Sequence, residues 1–189
     1  MDNKILIEQS QHWEKSFSSK PEMFGSEPSH SAKIALEKFK KNNVKHIIEL
    51  GAGLGRDTIF FAKNSIKVTA LDYSPTAVEI IKKKSDSLGL SDFIDAQTHD
   101  LRQKLNFKDD SFEGCYSHML YCMAFTEIEL EKLNNDISHK LKKGWGVTYS
   151  TGLTHQVKKV TSGKRYACVF WTTSPVSYTH LTLPTSDLV

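Results

Sequence analysis

The run Glu49-Leu50-Gly51-Ala52-Gly53-Leu54-Gly55-Arg56-Asp57 separates two apolar stretches of different period. Before it, Val44 to Leu50 is apolar and rich in β-branched residues, the pattern of a strand buried on both faces. After it, Thr58 to Lys63 carries Ile59, Phe60, Phe61 and Ala62 as a helix, with Asn64 suited to its C-terminal cap. Glycines at 51 and 53 permit positive φ and close approach of the backbone to a ligand, and the helix start supplies unpaired amides. A glycine turn alone is weak evidence, because many strand-to-helix turns need one for geometry.

Outward from this turn the same alternation continues. Ser31 can cap a helix reaching Lys41, in which Ala35, Leu36 and Phe39 share one face. Ile66 to Leu71 reads as a second strand ending in Asp72, and Ser74-Pro75 then places a cap before a proline at the first helical position. Gly89 ends that helix. A third strand, near Phe93 to Thr98, leads to Asp100, and a fourth, near Ser111 to Ser117, ends at His118. Thr126 and Glu129 have capping-box spacing ahead of Leu130, Leu133, Ile137 and Leu141, and Gly144 and Gly146 break that helix before a fifth strand, Val147 to Ser150. This order predicts an α/β fold: a Rossmann-like, doubly wound, mostly parallel sheet, incomplete at its C-terminal edge. Ligands of such sheets sit beyond the carboxyl ends of the strands, where strand order reverses.

Composition narrows the function. The 189 residues suffice for one core, with 39% hydrophobic and 25% charged residues. A net charge of +3, with basic residues spread along the chain, gives no reason to expect a nucleic-acid partner. No run approaches the ~20 apolar residues of a membrane span, and the first twenty residues lack a signal-peptide pattern. Cys115, Cys122 and Cys168 are odd in number and lack metal-type pairing, so neither a disulfide framework nor a metal site is expected, and a reducing cytoplasm fits.

The residues around the glycines discriminate between ligands. A dinucleotide fingerprint requires Gly or Ala where Arg56 stands and usually follows an all-apolar strand. Glu49 instead puts a carboxylate at the strand end, which receives a cationic ammonium group and repels a pyrophosphate. Asp72, at the end of the second strand, can accept hydrogen bonds from two ribose hydroxyls, or it is simply a turn residue before Ser74-Pro75. Asp100 can accept from an adenine amino group, or it is a loop aspartate.

With these features in place, the chain resembles a class I S-adenosylmethionine-dependent methyltransferase of the small-molecule type over residues 10 to 151. The stretches that carry the likeness are Ile47-Ile48-Glu49-Leu50-Gly51-Ala52-Gly53, Val68-Thr69-Ala70-Leu71-Asp72-Tyr73-Ser74, His99-Asp100-Leu101 and Cys115-Tyr116-Ser117-His118-Met119. The resemblance implies that Gly51 and Gly53, with Ala52 and Arg56 beside them, line the methionine part of S-adenosyl-L-methionine. It further implies that Asp72 and Tyr73 border the ribose, and that Asp100 and the Leu101 backbone meet the adenine. Ser117, His118 and Met119 then stand at the mouth shared with a small-molecule methyl acceptor, where His118 is either a general base or a packed or capping histidine. Trp13 and Phe24 either cover the cofactor as a lid or dock on the core. Two rivals remain: an NAD-dependent oxidoreductase, and a non-catalytic cofactor-binding module. Acceptor identity and oligomeric state are not encoded.

The organisation expected is an N-terminal extension and possible lid over residues 1–30, a methyltransferase-like domain over 31–174, and a non-native tail over 175–189. Leu141-Lys142-Lys143-Gly144-Trp145 stands where the family usually has Leu-Lys-Pro-Gly-Gly, and the likeness fades after Thr151, with no counterpart of a sixth or seventh strand. Pro175 to Thr185 resembles a transposase mosaic-end sequencing adapter read as coding sequence, so the chain reads as cut short at its C-terminus. Deleting residues 175–189 is therefore expected to leave the melting temperature unchanged; marked destabilisation would make the tail part of the fold.

Overall fold

A computed structural model describes residues 3–20, 23–120, 123, 125–142, 147–150 and 168–170. In chain order the elements are α1 (Asn3–Ser19), α2 (His30–Lys41), β1 (His46–Leu50), α3 (Arg56–Lys63), β2 (Lys67–Asp72), α4 (Pro75–Ser87), β3 (Ile94–Thr98), β4 (Gly114–Ser117), α5 (Glu127–Lys140), β5 (Val147–Ser150) and β6 (Cys168–Phe170). The six strands form one sheet in the order β3-β2-β1-β4-β5-β6, and every pairing is parallel. This is the doubly wound order, and its reversal falls between β1 and β4, where Ile48 pairs with Thr69 on one side and Cys115 on the other.

The period-two alternation of β1 distributes its side chains between two cores. Ile47 joins Ala35, Phe39, Phe61, Ile81 and Tyr116 on one face. Ile48 and Leu50 join Leu105, Phe112, Cys115, Leu133 and Ile137 on the other. Both faces are covered, as parallel strands require.

Local chemistry fixes the helix starts. Ser74 accepts from the Ala77 amide with Pro75 at the first helical position, and Thr126 and Glu129 close a capping box on α5. The cap of α2 is Ser29, whose hydroxyl accepts from the Ala32 amide at 3.0 Å, and not Ser31. Two serines two residues apart are equivalent in a local pattern; here Ser29 is selected because Asp57 grips its amide at 2.8 Å.

Two expectations need correction. Residues 1–30 are more than an extension, since α1 runs through them and buries Phe17 against Leu54 and Ala77, with Trp13 and Phe24 alongside. The sheet does not stop at β5, because β6 pairs with it from Thr148↔Cys168 to Ser150↔Phe170. A three-residue strand carries too little alternation to be read from sequence. The turn at Gly144 and Gly146 and the tail at 175–189 lie outside the described residues.

Gly55 is the N-cap of α3 at φ +76°, and a Cβ placed there would meet Ile81 Cγ1 at 2.6 Å. A Cβ placed on Gly53, at φ +53°, would meet nothing nearer than Phe17 Cζ at 3.8 Å. Both substitutions by alanine incur the left-handed cost of ~1–2 kcal/mol, and only Gly55→Ala adds overpacking of ~1–3 kcal/mol. Denaturant unfolding should therefore rank Gly55→Ala as the more damaging; equal losses would place Ile81 out of contact.

Candidate active site

A cavity opens beyond the carboxyl ends of the strands, at the β1–β4 reversal. Its floor is the turn from Gly51 to Arg56, one wall carries Asp72, Tyr73 and the segment His99 to Arg102, and the opposite wall carries His118, Met119 and Leu120. Trp13, Phe17 and Phe24 complete it.

The glycine turn is tied to β2 and offers fewer free amides than its sequence implies. The Gly51 and Ala52 amides both donate to the Leu71 carbonyl, at 2.8 and 3.0 Å, and the Gly55 amide donates to the Ala52 carbonyl. The Gly53 amide donates to Asp72 Oδ2 at 2.7 Å. These four amides are internally satisfied and so are not available to cradle a phosphate.

Three carboxylates surround this turn, and each has a different set of donors. Glu49 is only 3% exposed and, among the described residues, accepts one hydrogen bond, from the Thr58 hydroxyl at 2.6 Å. Burial, reinforced by Asp57 and Asp72 and opposed by the Thr58 hydroxyl, pushes its pKa up to about 8. Burial also raises Asp72, although its oxygens accept from the Gly53 and Ser74 amides. Asp57 goes the other way: the Ser29 amide and hydroxyl together with Arg56 outweigh its burial and hold it below the ordinary carboxylate range.

Farther out, Asp100 receives a fork from Arg102, with Nε 2.8 Å from Oδ1 and Nη2 2.6 Å from Oδ2. Arg102 also lines the cavity and was not foreseen; a cation two residues after a carboxylate was the available signal. His99 was missed too. It lines the cavity, and its buried Nε2 has no hydrogen-bond partner among the described residues.

Of the expected site residues, Glu49, Gly51, Ala52, Gly53, Arg56, Asp72, Tyr73, Asp100, Leu101 and His118 all border the cavity. Ser117 does not: it is buried, and its hydroxyl donates to the Leu50 carbonyl at 3.1 Å, tying β4 to β1. Trp13, Phe17 and Phe24 stack within 6.5 Å of one another, and the Arg56 guanidinium lies 6.0 Å from the Phe24 centroid. The aromatics pack beside Leu54 and Ala77, which docks α1 on the core, and all three also line the cavity. Glu14 on α1 accepts from the Ser74 and Thr76 hydroxyls, and the Tyr73 hydroxyl donates to the Gln9 carbonyl at 3.4 Å.

The all-parallel order β3-β2-β1-β4-β5-β6 is common to doubly wound nucleotide-binding sheets; Glu49 behind the glycine turn and Asp72 at the end of β2, together with the family match, mark this one as a class I S-adenosylmethionine-dependent methyltransferase fold. The family model described as "methyltransferase domain" matches residues 47–144, and the chain belongs to that family. It is 28% identical over 108 residues to a sterol 4-C-methyltransferase of Caenorhabditis elegans, covering 57% of this chain and 31% of that protein. Among solved structures, a Methanococcus maripaludis protein described as an S-adenosyl-L-methionine-dependent methyltransferase superposes with a TM-score of 0.55 at 19% identity, covering 76% of this chain and 63% of the other. The [4+2]-cyclase SpnF superposes with a TM-score of 0.57 at 16% identity, covering 70% and 55%. This chain therefore spans under a third of the curated relative and under two thirds of either structure.

Because folding raises the pKa of Glu49, its stabilising contribution is complete below the ordinary value of 4.5 and is lost as pH rises through about 8. Glu49→Gln should match the wild type in thermal melting near the lower value and exceed it above the higher one. A constant offset across that range would show that Glu49 is not the titrating group.

Proposed function

We propose that this chain binds S-adenosyl-L-methionine in the cavity and transfers its methyl group to a small-molecule acceptor. The observation that carries the reading is Glu49, a carboxylate buried beside the cavity, with a single hydroxyl partner among the described residues and biased toward its neutral form. A cation arriving there would restore its charge and supply the missing partner; the α-ammonium of the cofactor is such a group. Asp72 keeps lone pairs for ribose hydroxyls beyond those used by the Gly53 and Ser74 amides. Asp100 and the Leu101 backbone take the adenine edge, the orphaned His99 Nε2 offers a further polar contact, and Tyr73 with the α1 aromatics excludes water.

The cofactor would supply a methyl group already activated on a sulfonium. The chain's residues then mainly hold the acceptor in line with it, and such orientation is worth ~7–11 kcal/mol. His118, on the wall opposite Asp72, is the group placed to take a proton from the acceptor. With the family shown, the oxidoreductase reading is set aside. Among the described residues no helix is long and apolar enough to cross a membrane. A cytoplasmic setting suits Cys115, a buried free thiol.

Calorimetry tests the proposal. Glu49→Gln should weaken S-adenosylmethionine and S-adenosylhomocysteine alike, by ~10-fold or more, since a charge-assisted hydrogen bond contributes ~1.5–3 kcal/mol and both ligands carry the ammonium. Binding to the wild type near neutral pH should also release a proton as Glu49 ionises, seen as a heat that depends on the buffer. Unchanged affinity, or a loss confined to one ligand, would remove Glu49 from the site. Asp72→Ala should weaken both ligands as well. Binding with no methyl transfer to any of a panel of hydroxylated small molecules would favour the binding-module alternative.

A further inference from the structure

Behind His118 lies a chain of hydroxyl groups that ends on a buried carboxylate. His118 Nδ1 is 2.9 Å from Ser31 Oγ, which is 3.1 Å from Ser29 Oγ and 3.4 Å from the Tyr116 hydroxyl. Ser29 Oγ and the Tyr116 hydroxyl both reach Asp57 Oδ2, at 2.7 and 2.8 Å. Three elements meet there: the cap and first turn of α2, the start of α3 and the end of β4.

Counting protons fixes the direction of these bonds. Asp57 is ionised, because donors from Ser29 and Arg56 outweigh its burial, so it only accepts. It therefore takes the single hydroxyl proton of Ser29 and that of Tyr116. Both oxygens are then left as acceptors toward Ser31. If Ser31 gave its proton to His118 instead, its 3.1 Å contact with Ser29 would set lone pair against lone pair. If it gives that proton to Ser29 or Tyr116, His118 Nδ1 supplies the proton for its own contact, so two of the cluster's six contacts, one of them the 3.0 Å Ser29–Tyr116 approach, lack a proton instead of three; all donors point toward the anion, and each polarises the next. Ser31 can then receive only an N–H from His118. Burial and Arg56 keep this imidazole below its ordinary pKa against the pull of Asp57, so it is neutral and carries that one proton on Nδ1.

We propose that Ser31, Ser29 and Tyr116 relay the charge of Asp57 to His118 and hold its imidazole in the Nδ1–H form, so that a bare Nε2 is presented to a protic acceptor such as a hydroxyl. This rests on the methyl-transfer reading for its chemistry. The acceptor oxygen forms its bond to the methyl carbon, the carbon–sulfur bond pair stays on sulfur, and the acceptor's proton passes to Nε2. The positive charge lost at sulfur reappears on the imidazolium, where Asp57 stabilises it through the relay. His118 is the catalytic residue here, and Ser31 is a positioning residue. The acceptor class that needs such an arrangement is one whose nucleophilic atom carries a removable proton, as opposed to a tertiary amine or a thioether.

Two-bond proton–nitrogen NMR on the full nitrogen-15-labelled chain reads the tautomer without cofactor or activity. Signals of His118 are identified by their loss in His118→Gln or by through-bond connection to the His118 backbone. At alkaline pH the wild type should show His118 protonated on Nδ1. Ser31→Ala should move more than half of the population to the Nε2–H form, and Asp57→Asn should shift it the same way. Wild-type His118 protonated mainly on Nε2 overturns the proposal even if no variant folds, and so does Ser31→Ala with an unaltered tautomer. Titration of Ser31→Ala with S-adenosylmethionine should give wild-type affinity. No binding to the wild type would sink the methyl-transfer reading while leaving the tautomer result standing.

Discussion

Around the turn from Gly51 to Gly55 the fold has to hold Glu49, Asp57 and Asp72, each no more than 5% exposed, in space too dry to screen them from one another. A low-dielectric region cannot hold several ionised carboxylates unless each has its own donors. Asp57 has the Ser29 amide and hydroxyl, the Tyr116 hydroxyl and Arg56; Asp72 has the Gly53 and Ser74 amides. Among the described residues Glu49 has the Thr58 hydroxyl alone, and it yields by moving toward its neutral form. Much of the surrounding geometry follows from this allocation. The start of α2 is set by what Asp57 grips, the glycine turn is pinned to β2 by Asp72, and Glu49 is left as a buried acid with few donors at the cavity edge.

What was legible in the sequence was whatever local chemistry decides. The strand–turn–helix around Glu49-Leu50-Gly51 could be read because a buried parallel strand is apolar throughout and a left-handed turn needs glycine. The caps at Ser74 and Thr126 could be read because each satisfies amides within its own first turn. Less accessible was anything decided by partners distant in sequence. Ser29 and Ser31 differ only in what lies opposite them, a carboxylate 28 residues away for one and an imidazole 87 residues away for the other. Helix α1 is mostly polar, and its few aromatics become informative only when docked beside Leu54 and Ala77. Ser117 was expected at the cavity mouth, but it is buried and its hydroxyl donates to the Leu50 carbonyl.

The roof over the cavity is held differently from its floor. Floor contacts are backbone hydrogen bonds between β1, β2 and the glycine turn, whereas α1 is fixed by aromatic packing and by Glu14 reaching the first turn of α4. Side-chain contacts of this kind open at lower free energy than a buried ladder.

The cavity residues also fall into two groups along the chain. Residues between Glu49 and Arg102 supply the floor and one wall, while the opposite wall comes from His118, Met119, Leu120, Met123 and Phe125 and the roof from Trp13, Phe17 and Phe24. A segment that recognises one shared ligand can be kept intact while the pieces facing it are exchanged, because the two meet only across the opening. Such a layout lets one ancestral scaffold acquire new acceptors by remodelling few positions, and the superposition of a [4+2]-cyclase on the same sheet shows that even the reaction type can differ on this architecture.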